Sequence, residues 1–137
     1  MEERAKVLLV DDDPDIIKAT SRILQTRYDV ITASNGLECL EKVKERPDLI
    51  ILDMLMPRMD GFAVCRHLKE DVKYSRYSDI PILIVTSVRE DASRRRYELE
   101  TGLDLVVEDY VEKPIKAVEL LHRAEKILQR RIPRAEE

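Results

Sequence analysis

The stretch from Pro47 to Gly61 constrains this chain more than any other. Leu49-Ile50-Ile51-Leu52 is an unbroken apolar run, which suits a parallel strand covered by helices on both faces. Asp53 follows it directly, and Pro57 and Gly61 force a turn before a helix can begin. A carboxylate in that place stands at the carboxyl edge of the sheet, where open α/β folds bind ligands. Taken alone, Asp53 is equally well explained as a turn former or helix cap.

The remaining chain repeats the pattern of a short apolar run followed by an amphipathic stretch, which predicts βα units around a doubly wound parallel sheet. Residues 6–10 form the first expected strand. Asp11-Asp12-Asp13-Pro14 comes next, with proline fitted to the first helical position and an aspartate capping before it. The helix is expected to run to about residue 27, with Ile16, Ile17, Thr20, Ile23 and Leu24 facing inward. Residues 28–33 read as a second strand. Ser34 or Asn35 then caps a helix through Leu37, Leu40 and Val43 that ends at Pro47. After the Asp53 strand, a helix over about residues 62–70 uses Phe62, Cys65 and Leu68. Residues 72–79 are polar and read as a loop, with no role for Tyr74 or Tyr77. A fourth strand over residues 80–86 is apolar until Thr86. The helical segment at 91–101 carries Arg94-Arg95-Arg96, read as a solvated face, and Gly102 stops it. Residues 105–111 form a fifth strand with Lys113-Pro114 after it. A last helix at 116–131 is organised through Val118, Leu121, Ala124 and Leu128.

At 137 residues the chain is one domain by size, large enough to bury a core without metals or disulfides. One unit is expected over residues 1–131, with 132–137 as a flexible tail. A formal charge of -4 speaks against a general nucleic-acid binder. No apolar run is long enough to cross a bilayer, and Met1-Glu2-Glu3-Arg4 lacks the apolar core of a secretion signal, so the expected location is cytoplasmic. Cys39 and Cys65 have no metal-ligand spacing and are expected to be buried, reduced thiols. With three glycines and no glycine-rich phosphate loop, the chain is not expected to bind ATP.

The strand ends supply Asp11, Asp12 and Asp13, then Asp53, Thr86 and Lys113, all along one edge. Neighbouring carboxylates repel, and a hard divalent cation such as Mg²⁺ relieves that repulsion in an oxygen-only site. A lysine and a hydroxyl across the same cleft suit a transferred phosphoryl group, one offsetting charge and the other donating a hydrogen bond. Asp53 can then serve as the nucleophile that forms an acyl phosphate. The competing explanation is a buried ion-pair cluster that only ties strand ends together, but one lysine cannot balance so many carboxylates.

These residues resemble the receiver domains of two-component response regulators. The resemblance rests on Val7-Leu8-Leu9-Val10-Asp11-Asp12, Leu52-Asp53-Met54-Leu55-Met56-Pro57 with Asp60-Gly61, Val85-Thr86-Ser87, and Tyr110-Val111-Glu112-Lys113-Pro114. It implies a flavodoxin-like (βα)5 sheet of strand order 2-1-3-4-5. It also implies phosphorylation of Asp53 by a histidine kinase or phosphotransfer protein, and Mg²⁺ held by Asp12, Asp53 and the main-chain carbonyl of Leu55, with Asp11 helping through water. Asp13 is then a helix cap. Thr86 and Lys113 would contact the phosphoryl oxygens, and Tyr110 would swing inward as Thr86 moves, switching the face of the fourth helix, fifth strand and fifth helix. A cis Lys113-Pro114 bond is implied as well.

Two departures from the family pattern stand out. The stretch between Gly102 and Tyr110 is longer than usual, and Leu55 and Val88 occupy the positions that tune phosphate lifetime. Neither side chain can orient an attacking water, so a long-lived phosphoryl state is expected. His67 and His122 lack the surroundings of a phosphodonor. The expectation is a chemotaxis-type, stand-alone receiver, a stoichiometric acceptor rather than an enzyme. It would be a monomer or weak phosphorylation-dependent dimer, acting on a downstream protein without direct nucleic-acid or membrane contact. The runner-up is a receiver cut from a larger DNA-binding regulator or hybrid kinase. A phosphorylation-independent pseudo-receiver would lack an acceptor, metal ligand or lysine, and a metal-dependent aspartyl phosphatase would need a carboxylate where Leu55 stands.

Overall fold

The computed structural model describes residues 4–86 and 107–130. Its sheet has five parallel strands, β1 (Lys6–Val10), β2 (Asp29–Ala33), β3 (Leu49–Asp53), β4 (Ile82–Thr86) and β5 (Asp109–Glu112), in the order β2-β1-β3-β4-β5. That is the predicted order. β3 and β4 are buried at every position, whereas β2 and β5 at the edges are only partly covered. Their continuous apolar runs follow from having helices on both faces.

Alternate residues divide into two cores. Leu8, Val10, Ile50, Leu52, Ile82 and Ile84 meet Cys39 and Leu40 of α2 (Gly36–Lys42) and Phe62, Cys65 and Leu68 of α3 (Gly61–Glu70). Val7, Leu9, Leu49, Ile51, Leu83 and Val85 face the other way, onto Leu24 of α1 (Pro14–Leu24) and Leu120, Ala124 and Ile127 of the helix Ala117–Gln129. Both thiols are buried and unpaired in disulfides, and burial pushes each up to about 12. No described helix is long and apolar enough to cross a membrane.

Several boundaries and faces differ from expectation. α1 ends at Leu24 rather than 27 because the chain turns there into β2, and the Arg4 guanidinium holds the carbonyls of Gln25, Arg27 and Tyr28. Leu37, expected on the inner face of α2, is 59% exposed. Asn35 caps that helix through the Glu38 amide, which sets the phase so that Cys39, Leu40 and Val43 turn inward instead. Val118 is 83% exposed for a similar reason, since the buried stripe of its helix is Leu120, Ala124 and Ile127, spaced four and three apart.

The expected loop at 72–79 is largely a 3-10 turn, Val72–Tyr77, started by the Asp71 carboxylate accepting from the Lys73 amide. Tyr77, given no role, is buried in the core beside Ile80. β5 starts at Asp109, later than 105. Just before it, Glu108 substitutes for a ladder residue: its amide donates to the Ile82 carbonyl and its carboxylate accepts from the Ile82 amide at 2.7 Å. The helix expected at 91–101, the three arginines within it, Gly102, residues 103–106, Ser87, Val88 and the tail at 132–137 lie outside the described residues.

Candidate functional site

Strand register brings the predicted groups abreast. Val10 pairs with Leu52, Asp53 with Val85, Val85 with Val111, and Thr86 with Glu112. Asp11, Asp53, Thr86 and Lys113 therefore leave the sheet at one edge. Asp53 is 1% exposed, Asp11 and Thr86 are also buried, and Asp12 is open to solvent. One carboxylate oxygen from each of Asp11, Asp12 and Asp53 lies within 4.8 Å of the others. Lys113 Nζ donates to Asp53 Oδ1 at 3.0 Å. The Lys113 amide also donates to the Thr86 carbonyl at 2.7 Å, so the lysine and threonine are tied through the backbone as well as sharing the edge.

Local turns fix the carboxylates. Asp11 Oδ1 accepts from the Asp13 amide at 2.9 Å. Asp13 does not join the cluster; it caps α1 by accepting from the Asp15 amide, as expected. After β3, the Leu55 amide reaches back toward Asp53 Oδ1 at 3.4 Å, and the Gly61 amide closes the loop on the Met54 carbonyl at 2.9 Å. Gly61 must be glycine for a reason of space: a Cβ there would stand 2.8 Å from Met54 Cα and 2.9 Å from the Asp53 carbonyl oxygen. The Lys113-Pro114 bond is cis, as expected.

Burial raises Asp11 to about 6, with Asp53 and Asp12 pushing the same way and the Asp13 amide and Lys113 opposing them. Because folding disfavours the ionised form, the native state loses stability as pH rises from about 4 to about 6 and is level above that.

The family model for the response regulator receiver domain matches residues 7–125. The chain belongs to that family. It is 40% identical over 134 residues to the probable transcriptional regulator ycf27 of Pyropia yezoensis, covering 93% of this chain and 49% of that protein. It is 38% identical over 127 residues to the alkaline phosphatase synthesis transcriptional regulatory protein PhoP of Bacillus subtilis (strain 168), covering 91% and 49%. Among solved structures, the chemotaxis protein CheY4 of Vibrio cholerae superposes with a TM-score of 0.74 at 31% identity, covering 90% of this chain and 98% of that one. The chain thus spans about half the length of the two transcriptional regulators.

The receiver's acidic cluster fits a hard divalent cation: its donors are all carboxylate oxygens, and the two neighbouring charges help to hold Asp11 above the usual carboxylate range. Tyr110, opposite Ile84 in the register, is half-buried and packs against the α2–α3 core with its hydroxyl oxygen buried. Leu55, two residues beyond Asp53, carries an exposed side chain. The left-handed backbone of Arg58 sits in a tight turn, with the Met59 amide donating to the Pro57 carbonyl at 2.8 Å; the proline before it signals the turn, but an arginine does not signal the positive φ.

Proposed function

We propose that this receiver takes a phosphoryl group onto Asp53 from a phosphohistidine of a histidine kinase or phosphotransfer protein. The observation that carries the reading is the Lys113 ammonium 3.0 Å from a buried Asp53 flanked by two further carboxylates. An Asp53 oxygen attacks phosphorus, the P–N bond breaks, and its electron pair leaves on the imidazole, which picks up a proton. Asp11, Asp12, Asp53 and the Leu55 carbonyl would hold Mg²⁺, which supplies positive charge beside the phosphoryl oxygens. Lys113 offsets their remaining charge and the Thr86 hydroxyl donates to one of them. The protein acts as a stoichiometric acceptor rather than a turnover enzyme.

Incubation with acetyl phosphate and Mg²⁺, followed by intact-mass analysis, tests this. One phosphoryl group should appear on the natural chain and none on Asp53→Asn. Freed of donor, the label should outlast seconds by a wide margin, because Leu55 cannot orient water. Equal labelling of both chains refutes the acceptor assignment, and loss within seconds refutes the slow release.

The output proposed is a two-state shift in which Thr86 and Tyr110 move together when Asp53 gains charge. Thr86→Ala should abolish most of the phosphorylation-dependent gain in partner affinity. An undiminished gain would require a different coupling.

A second architecture is supported by the relatives named as transcriptional regulators, of which this chain matches about half. On that reading these residues are the receiver of a regulator whose output acts on DNA, and the expected lack of nucleic-acid contact holds for the receiver alone. The match to 98% of the CheY4 chain supports the stand-alone form. An immunoblot of native cells separates them, since the stand-alone form runs at 16.0 kDa and the other well above it.

A further inference from the structure

We propose that β2 is a self-pairing edge, through which two copies of this chain join their sheets antiparallel. The strand order leaves β2 and β5 at the two margins of the sheet. β2 is paired along its whole length on one side, from Asp29 opposite Lys6 to Ala33 opposite Val10, without a break in register. Two hydrogen bonds fix which of its backbone groups face that way. The Asp29 amide donates to the Ala5 carbonyl at 2.9 Å, and the Ala33 carbonyl accepts from the Asp11 amide at 3.2 Å. Bonding direction alternates along a regular strand, so Asp29, Ile31 and Ala33 face β1 while Val30 and Thr32 turn their amides and carbonyls outward. Those outward groups have no hydrogen-bond partner among the described residues.

Their spacing suits a two-fold axis. With Ile31 on the axis, Val30 of each copy stands opposite Thr32 of the other, and each such pair exchanges amide-to-carbonyl bonds in both directions. The charge pattern fits the same register. Asp29, the charged residue of the strand, falls opposite Ala33, and the facing valine and threonine form a β-branched pair of the kind that stabilises sheets. Edges that stay unpaired are commonly blunted by a lysine, a proline or a bulge, and the central positions Val30-Ile31-Thr32 carry none of these. β5 is the contrast. It has Asp109 at one end and Glu112 at the other, and a two-fold about its middle would set these carboxylates against each other. By charge, β2 rather than β5 is the margin that accepts its own copy.

The antiparallel joint leaves the acidic sites open. Turning one copy over sends the carboxyl ends of its strands, and Asp53 with them, to the end opposite its partner's. β1 also stands between β2 and the Asp53 strand. The pairing therefore needs no phosphoryl group and leaves Asp53 free to receive one. With a single strand contributed by each copy, the interface is small and the association weak.

Sedimentation velocity over a micromolar-to-millimolar series tests this, with amide hydrogen exchange followed by NMR at the same concentrations. The natural chain should pass from monomer to dimer, with or without acetyl phosphate and Mg²⁺. Exchange at Val30 and Thr32 should slow as concentration rises, while exchange at Asp29 and Ile31, already bonded to β1, stays constant. Thr32→Pro removes an outward donor that the monomer does not use, twice in each dimer, and should raise the dissociation constant about tenfold or more. Thr32→Lys puts a cation on the edge without locking the backbone and should weaken the dimer in the same direction. A chain that is monomeric throughout overturns the proposal. So does a dimer that neither variant weakens, or one that forms without slowing exchange at Val30 and Thr32, because each places the contact on another surface.

Discussion

Replacing Lys113 with alanine is expected to destabilise the metal-free protein by about 2–4 kcal/mol at pH 8, and by far less near pH 4. The ammonium is the cation that the structure places on a carboxylate 1% exposed, with two more carboxylates within 4.8 Å. Breaking a buried pair from one side leaves an uncompensated charge, and the cost sits below the upper end for such pairs because the lysine side chain is itself 26% exposed. The pH dependence comes from Asp11. Its folded-state value of about 6 lies above the usual carboxylate value, so at pH 8 it is ionised beside Asp53 and near pH 4 it is protonated. Removing the lysine withdraws one of the two influences that oppose this rise, so the variant should lose stability more steeply than the natural chain as pH increases. Millimolar Mg²⁺ should return much of the loss at pH 8. Chemical denaturation at the two pH values, with and without Mg²⁺, reads all of this, and equal losses at both would show that the carboxylates are not coupled through Lys113.

Gly61→Ala is the other large effect. Alanine favours a helix over glycine by at most about 1 kcal/mol, which would stabilise the start of α3. Against this, the new Cβ would meet Met54 Sδ at 2.5 Å, Met54 Cα at 2.8 Å and the Asp53 carbonyl oxygen at 2.9 Å. The sulfur can swing away, but the other two atoms are backbone. Overpacking of that kind costs roughly 1–3 kcal/mol and is relieved only by moving the chain. A net loss of about 2 kcal/mol is expected, seen as a melting temperature lower by roughly 6–8 °C. The displaced backbone belongs to Asp53, so phosphoryl uptake should slow in the same variant. An unchanged melting temperature would mean that the 54–61 loop yields without cost.

The site was more legible in the sequence than its supports were. Asp53 and Thr86 each close an apolar strand and Lys113 follows the last strand, and a parallel sheet can only bring such ends to one edge. Asp13 was legible as a cap because Pro14 follows it. Leu37 and Val118 misled because an apolar residue near a helix start fits more than one helical phase, and the cap that fixes the phase is a geometric fact. Tyr77 was missed because its neighbours Arg76 and Ser78 make the segment look like solvent-facing loop, while a 3-10 turn buries one side chain in three. Glu108 was missed because a side chain standing in for a strand amide partner leaves no periodic signal. Arg58 was hidden for a related reason: a positive φ is a property of the loop's closure.

Locating the phosphoryl group is the most direct test of the account. Chain labelled with acetyl phosphate and Mg²⁺ can be reduced with borohydride, which converts an aspartyl phosphate to homoserine, and its peptides then sequenced by mass spectrometry. Homoserine at position 53 and nowhere else is the predicted result. Homoserine at Asp11, Asp12 or Asp60, or an unmodified position 53 in a labelled chain, would contradict the convergence of three strand ends on one acceptor.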